Sequence, residues 1–304
     1  MQGQILVCTD LDRTLIPNGP QPESSGARRC FAQLAARPEI SLAYVTSRHR
    51  SLVEDAVGTC RLPWPDYVIG DAGTTLCRVG EGRAWAHIAA WEEEIARDWA
   101  GHTHGDLLTH LKAFGVLRLQ ERSRQSRLKL SYYLPLHHDI DALAPAITER
   151  LEAAGIRARL VWSVDDISDI GLLDVLPAGA SKRSAIEALA RATGLGPERA
   201  VFCGDSGNDM EVLISPLRAV LVANSRGDVA NLACELAQEA GTRARLYVAT
   251  GGFMGMNGNY GAGVLEGIAH FYPEIAGWLC PPGASNNGKE TGCAAPKVRL
   301  RAKT

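Results

Sequence analysis

Ile5-Leu6-Val7-Cys8-Thr9-Asp10-Leu11-Asp12-Arg13-Thr14-Leu15 is the stretch on which the fold turns. The apolar run Ile5–Cys8 has the length and composition of a short, fully buried strand. Two aspartates follow it directly, two residues apart. Residues at that spacing leave a strand on the same side, so both carboxylates project from its carboxyl end. In an open parallel sheet that edge is where ligands bind. Two carboxylates about 4 Å apart repel by roughly 4 kcal/mol at an effective dielectric near 20. They coexist if a cation lies between them or if one holds a proton. An aspartate-rich turn without chemistry is the plain alternative.

Working outward, a helical pattern runs through residues 27–36, with Phe31, Leu34 and Ala35 on one side. Ser41–Val45 reads as a second strand, Ser51–Val57 opens another helix, and Tyr67-Val68-Ile69 makes a third strand. This alternation predicts a parallel sheet with helices on both faces. From about Cys77 to Leu176 the rhythm changes. Helical stretches at 89–99 and 140–154 alternate with strands at 128–134 and 158–164, which suits a small α+β domain with an antiparallel sheet. After Pro177 the first rhythm resumes, with a helix over 182–192, a strand at 200–203, a helix over 209–214 and a strand at 219–222. The expected fold is therefore α/β: a doubly wound, parallel-sheet (Rossmann-like) core, residues 1–78 and 177–279, carrying an inserted α+β cap, residues 79–176. Residues 280–304 are rich in Pro, Gly, Ser, Asn and Thr and end on Lys297, Arg299, Arg301 and Lys303; a disordered, solvated tail is expected.

Three further clusters share the strand-end position. Gly204-Asp205-Ser206-Gly207-Asn208-Asp209 follows the strand at 200–203, and Asp209 could equally cap the next helix. Carboxylate ligands of this kind suit Mg²⁺, which prefers six oxygens. Gly179-Ala180-Ser181-Lys182 places Lys182 in the first turn of a helix with Ser181 as its cap. A cation there opposes the helix dipole, which makes sense if an anion binds beside it. Thr46 and Ser47 end the second strand; the Thr46 hydroxyl and the Ser47 N–H could reach a phosphate oxygen, or simply cap a helix.

Taken together and in order, these residues resemble the haloacid dehalogenase superfamily of phosphatases. The resemblance implies Asp10 as nucleophile and Asp12 as general acid and base. It implies Thr46, Ser47, Lys182 and Asn208 as phosphate-binding residues. It implies Mg²⁺ held by Asp10, Asp12 (through its backbone carbonyl), Asp205 and Asp209. Within the superfamily, Leu128–Tyr133, Leu173–Pro177 and Tyr260–Phe271 look like sucrose-phosphate phosphatases and their relatives. Sucrose 6-phosphate is then the expected substrate. The alternatives are another glycosyl sugar phosphate (mannosylfructose phosphate or a glycosyl phosphoglycerate), a sugar phosphomutase, or a silent regulatory domain, which the intact motifs disfavour. Arg13 departs from the pattern, standing where a small or amide residue is frequent. Lys129 and Asp166 are the expected substrate contacts from the cap.

Bulk composition fits this reading. The 304 residues are 46% hydrophobic and 22% charged with a net charge of -2, which gives no electrostatic case for a nucleic acid or an anionic membrane. No apolar run approaches the ~20 residues of a membrane span, and Met1–Gln4, entering a short strand-like run without a basic region and a long apolar stretch, is not expected to act as a secretory signal. Eight cysteines without a Cys-x-x-Cys pair predict free thiols rather than a disulfide framework, and a cytoplasmic location. His102, His104 and His110 read as surface or packed histidines, and the glycine-rich segment 251–263 as a turn region.

Overall fold

A computed structural model describes residues 4–165 and 169–279. In chain order the main elements are β1 (Ile5–Thr9), α1 (Ala27–Ala35), β2 (Ile40–Val45), α2 (Arg50–Cys60), β3 (Tyr67–Gly70), β4 (Thr75–Val79), β5 (Trp85–His87), α3 (Ala89–Ala96), α4 (His104–Leu111), β6 (Arg118–Leu119) and β7 (Leu130–Leu134). There follow α5 (Ile140–Glu152), β8 (Ala158–Asp165), β9 (Ile170–Pro177), α6 (Lys182–Thr193), β10 (Ala200–Gly204), α7 (Met210–Leu213), β11 (Arg218–Leu221), α8 (Gly227–Glu239), β12 (Leu246–Val248) and α9 (Gly261–Phe271). The chain divides into two compact units: residues 1–44, 53–65 and 195–304 form one, residues 45–52 and 66–194 the other.

The first unit carries the strand order β12-β11-β10-β1-β2, parallel throughout. Its strands are near-continuous apolar runs because both faces are covered. Alternation along β11 shows how. Ala219 and Leu221 pack with Ala233 and Ala237 of α8 on one face. Val220, one residue over, meets Gly267 of α9 on the other. Helix α9 is buried from Gly261 to Ile268, and a Cβ at Gly267 would lie 2.2 Å from Val220 Cγ1. Glycine there is what lets the helix approach the sheet. The segment 251–263, expected as a turn region, holds a short 3₁₀ turn at Phe253–Gly255 and then starts α9 at Gly261.

The second unit contains the antiparallel run β3-β4-β5 and a separate four-stranded antiparallel sheet, β6-β7-β9-β8. Leu130, Tyr132 and Leu134 of β7 are buried beside Leu173 and Val175 of β9, while Ser131 and Asp174 occupy the other face and hydrogen-bond to each other. Helix α5 packs against β8. The sheet lies in the residues expected to form an inserted α+β piece. His104 opens α4, whose N-cap Thr103 forms a capping box with Asp106.

No helix among the described residues is long and apolar enough to cross a membrane. Cys8, Cys30, Cys77, Cys203 and Cys234 are free thiols, as expected, but Cys60 is disulfide-bonded. The cysteine spacings carried no sign of that bond. Residues 280–304 and Asp166, which the sequence reading had assigned to a tail and to the substrate, lie outside the described residues.

Candidate active site

Strands β1 and β10 are parallel neighbours in a register that sets Thr9 opposite Cys203. Asp10 and Asp205 each follow the end of one of these strands, so both arrive at the same carboxyl edge. The Asp10 N–H donates to the Cys203 carbonyl at 2.8 Å, extending the ladder by one residue. The Asp10 carboxylate turns back so that Oδ1 accepts the Leu11 N–H at 2.7 Å. Asp10 is 5% exposed, Asp205 4% and Asp209 0%. Burial at that level is unusual for carboxylates that lack a compensating charge or hydrogen bonds.

Asp209 is aimed by its own loop. Its Oδ2 accepts the N–H groups of Asp205 and Ser206 at 3.2 and 3.3 Å. It is thus the back-bonding member of a capping box whose cap is Ser206, not the side-chain cap of α7. Gly204 makes room for this: a Cβ there would stand 2.5 Å from Asp209 Oδ2. As a result one oxygen each from Asp10, Asp205 and Asp209 lies within 4.8 Å of the others. Buried hard oxygens at that spacing fit Mg²⁺, which takes carboxylates and keeps waters for its remaining positions.

Asp12, two residues after Asp10, has a different partner. Its Oδ1 accepts the Asn18 side-chain N–H at 2.8 Å, and the Asn18 side-chain Oδ1 in turn accepts the Arg13 N–H at 2.8 Å. Arg13 adopts a left-handed backbone, φ 56°, at a cost of about 1 kcal/mol for a residue with a Cβ. Asn224 secures the far side of that residue by donating to the Arg13 carbonyl at 2.6 Å, and itself accepts the Tyr260 N–H at 2.7 Å. The Arg13 Nε then sits 3.2 Å from Asp205 Oδ2, and Thr14 Oγ1 donates to Asp205 Oδ1 at 3.2 Å. Asn208, expected at the phosphate, takes a hydrogen bond from the Ser206 hydroxyl at 3.1 Å.

Thr46, Ser47 and Lys182 belong to the second unit. Thr46 is buried at the end of β2, its N–H on the Ile69 carbonyl and its hydroxyl oxygen accepting the Arg48 N–H; Ser47 is exposed. Lys182 is 7% exposed and is the first residue of α6, whose N-cap Ser181 accepts the Ser184 N–H. The turn Asp71-Ala72-Gly73 presses on that helix start. All three residues are left-handed, and a Cβ on Gly73 would lie 2.4 Å from the Ser181 carbonyl and 2.9 Å from the Lys182 nitrogen. The Trp91 indole N–H fixes the Gly73 carbonyl at 2.9 Å. Lys129, expected to touch substrate, is buried with its ammonium 3.2 Å from Asp71 Oδ1.

The family model for sucrose-6F-phosphate phosphohydrolase matches residues 3–272. The chain belongs to that family. It is therefore a phosphoric monoester hydrolase of the haloacid dehalogenase superfamily. This phosphohydrolase is 46% identical over 279 residues to a HAD-like hydrolase of Nitrosococcus oceani, covering 92% of this chain and 75% of the relative. It is 29% identical over 234 residues to the mannosylfructose-phosphate phosphatase of Agrobacterium fabrum, covering 75% and 86%. Its fold resembles the sucrose-phosphatase of Synechocystis sp. PCC6803, solved with sucrose and phosphate, at a TM-score of 0.68 and 24% identity over 89% of this chain and 98% of that one. The Rossmann-like core and a second sheet are thus those of a known phosphatase fold.

Sequence reading passed over Asn18 and Asn224 in this phosphohydrolase. Asn224 had a weaker signal, since it lies in the loop that leaves the carboxyl end of β11, three residues past Leu221. Asn18 had none: it reaches Asp12 because the chain turns back on itself after Leu15, where Ile16 forms an isolated bridge with Asp12.

Proposed function

We propose that the chain is a Mg²⁺-dependent sugar phosphatase that works through an aspartyl phosphate on Asp10, with sucrose 6-phosphate as its substrate. The observation that carries this is the convergence of buried oxygens from Asp10, Asp205 and Asp209 within 4.8 Å at the carboxyl edge of a parallel sheet. Asp10, Asp205, Asp209 and the Asp12 carbonyl would hold the ion, whose charge would offset the repulsion between an attacking carboxylate and a phosphate dianion.

Asp10 attacks phosphorus and the ester oxygen leaves. Asp12 gives that oxygen its proton, then takes one from the water that opens the aspartyl phosphate. The Asn18 N–H on Asp12 Oδ1 keeps this carboxyl in one orientation through both steps. Lys182, Thr46, the Ser47 N–H and Asn208 would bind the phosphate oxygens, where positioning and charge do most of the work. Residues 79–176 would select the sugar, with Lys129 and Asp166 as cap contacts.

A second reading, a phosphatase for mannosylfructose phosphate, is favoured by the 29% identity to the Agrobacterium enzyme. Phosphate release from a panel of disaccharide and hexose phosphates, with and without Mg²⁺, tests both. Sucrose 6-phosphate is expected to give the highest kcat/KM, and Asp10→Asn to abolish release. A preference for hexose phosphates would reject the disaccharide assignment. Full activity of Asp10→Asn would reject the mechanism.

A further inference from the structure

We propose that Arg13 is a resident counter-cation of the metal site, competing with the divalent ion for Asp205 and so setting how tightly that ion is held. The proposal rests on the reading of Asp10, Asp205 and Asp209 as ligands.

Three buried carboxylates with oxygens within 4.8 Å of one another repel unless positive charge is near. Arg13 supplies some of it: its Nε is 3.2 Å from Asp205 Oδ2. Asp205 is 4% exposed and the arginine side chain 39%, so a partly exposed guanidinium pairs with a buried acid. It does not arrive there as a loosely swinging surface chain. The Arg13 N–H is held by Asn18 at 2.8 Å, its carbonyl by Asn224 at 2.6 Å, and its φ of 56° lies in a region that residues with a Cβ rarely occupy. A backbone fixed on both sides aims the side chain at the acid.

The sign of the effect follows by either route. If the guanidinium stays when a divalent cation binds, two positive charges share one carboxylate and repel. If it withdraws, its pairing with Asp205 is lost. Both routes weaken metal binding relative to a chain with a neutral residue at position 13, and both leave the metal-free site better neutralised.

The full chain tests this by calorimetric titration with Mg²⁺ alone, beside thermal melts with and without the ion. Arg13→Gln is expected to bind Mg²⁺ about two- to fivefold more tightly, the range set by a partly exposed ion pair. Its metal-free form is expected to melt lower. Arg13→Lys, which keeps the charge but loses the planar fork, should shift affinity in the same direction by less. It carries the test if Arg13→Gln does not fold. Unchanged or weaker Mg²⁺ binding in the folded variant overturns the proposal, because a merely structural role lowers the melting temperature without tightening the ion. Asp205→Asn separates the two levels. If it binds Mg²⁺ like the wild type, the ligand assignment itself fails; if it loses the ion while Arg13→Gln is unchanged, only the counter-cation proposal fails.

Discussion

At the scale of single residues, the site depends on atoms that are missing as much as on those present. A Cβ at Gly204 would meet Asp209 Oδ2 at 2.5 Å and Cγ at 2.7 Å. Gly204→Ala must therefore push the Asp209 carboxylate off the N–H pair that aims it. Misplacement of a catalytic group by about 1 Å costs roughly 100-fold, so phosphate release by Gly204→Ala is expected to fall on that order. Circular dichroism would show the secondary structure intact. Wild-type kcat in this variant would mean that Asp209 is dispensable. The Lys129–Asp71 pair is a different kind of single-residue commitment. Both side chains are buried, and Asp71 Oδ1 accepts no hydrogen bond, so the 3.2 Å contact with Lys129 is an ion pair without aligned donation. Removing one member leaves the other charge buried alone. Lys129→Met should cost about 3 kcal/mol in urea unfolding, and adding Asp71→Leu should recover part of it. A double variant whose loss is the simple sum of the two single losses would show that the charges do not interact.

At the scale of elements, β1 and β10 carry thiols whose environment makes a pH prediction. Burial pushes the Cys8 thiol well up, and burial together with the neighbouring Cys8 does the same to Cys203. In the unfolded chain both would ionise near pH ~8.5. Above that pH the unfolded state binds fewer protons than the folded one, so stability falls as pH rises. The urea midpoint should drop between pH 8 and pH 10, and neither thiol should react with an alkylating reagent until the chain unfolds. Labelling of Cys8 in the native protein would contradict the packing of β1. Helix α9 gives a steric counterpart. Gly267→Ala drives a methyl to 2.2 Å from Val220 and should cost about 1–3 kcal/mol by overpacking. Gly58, inside α2, has nothing within 4 Å of such a methyl, so Gly58→Ala should stabilise by roughly 0.5–1 kcal/mol. Thermal melts of the two variants should move in opposite directions.

At the scale of the whole molecule, what could be read in the sequence was whatever local pattern dictates. The buried strand at 5–8, its trailing aspartates and the acidic loop after β10 were legible because a strand end fixes which way its next residues leave. The antiparallel sheet after the first three strands was legible as a change of rhythm. The partners of those residues were not, because they come from far along the chain: Asn224 reaches Arg13 across 211 positions and Arg13 reaches Asp205 across 192. Periodicity carries no record of such contacts, nor of the disulfide at Cys60. The same distribution predicts where a metal will act. Asp10, Asp205 and Asp209 all lie in the unit formed by residues 1–44, 53–65 and 195–304. An ion at ten times its dissociation constant stabilises the state that binds it by about 1.4 kcal/mol. Hydrogen exchange with Mg²⁺ and with chelator should therefore show added protection in β1, β10 and β11. The sheet β6-β7-β9-β8 should be unchanged if the two units open separately, and should gain equally if they open as one. Exchange insensitive to Mg²⁺ in both units would remove the metal from this site, and with it the charge proposed to let Asp10 attack a phosphate.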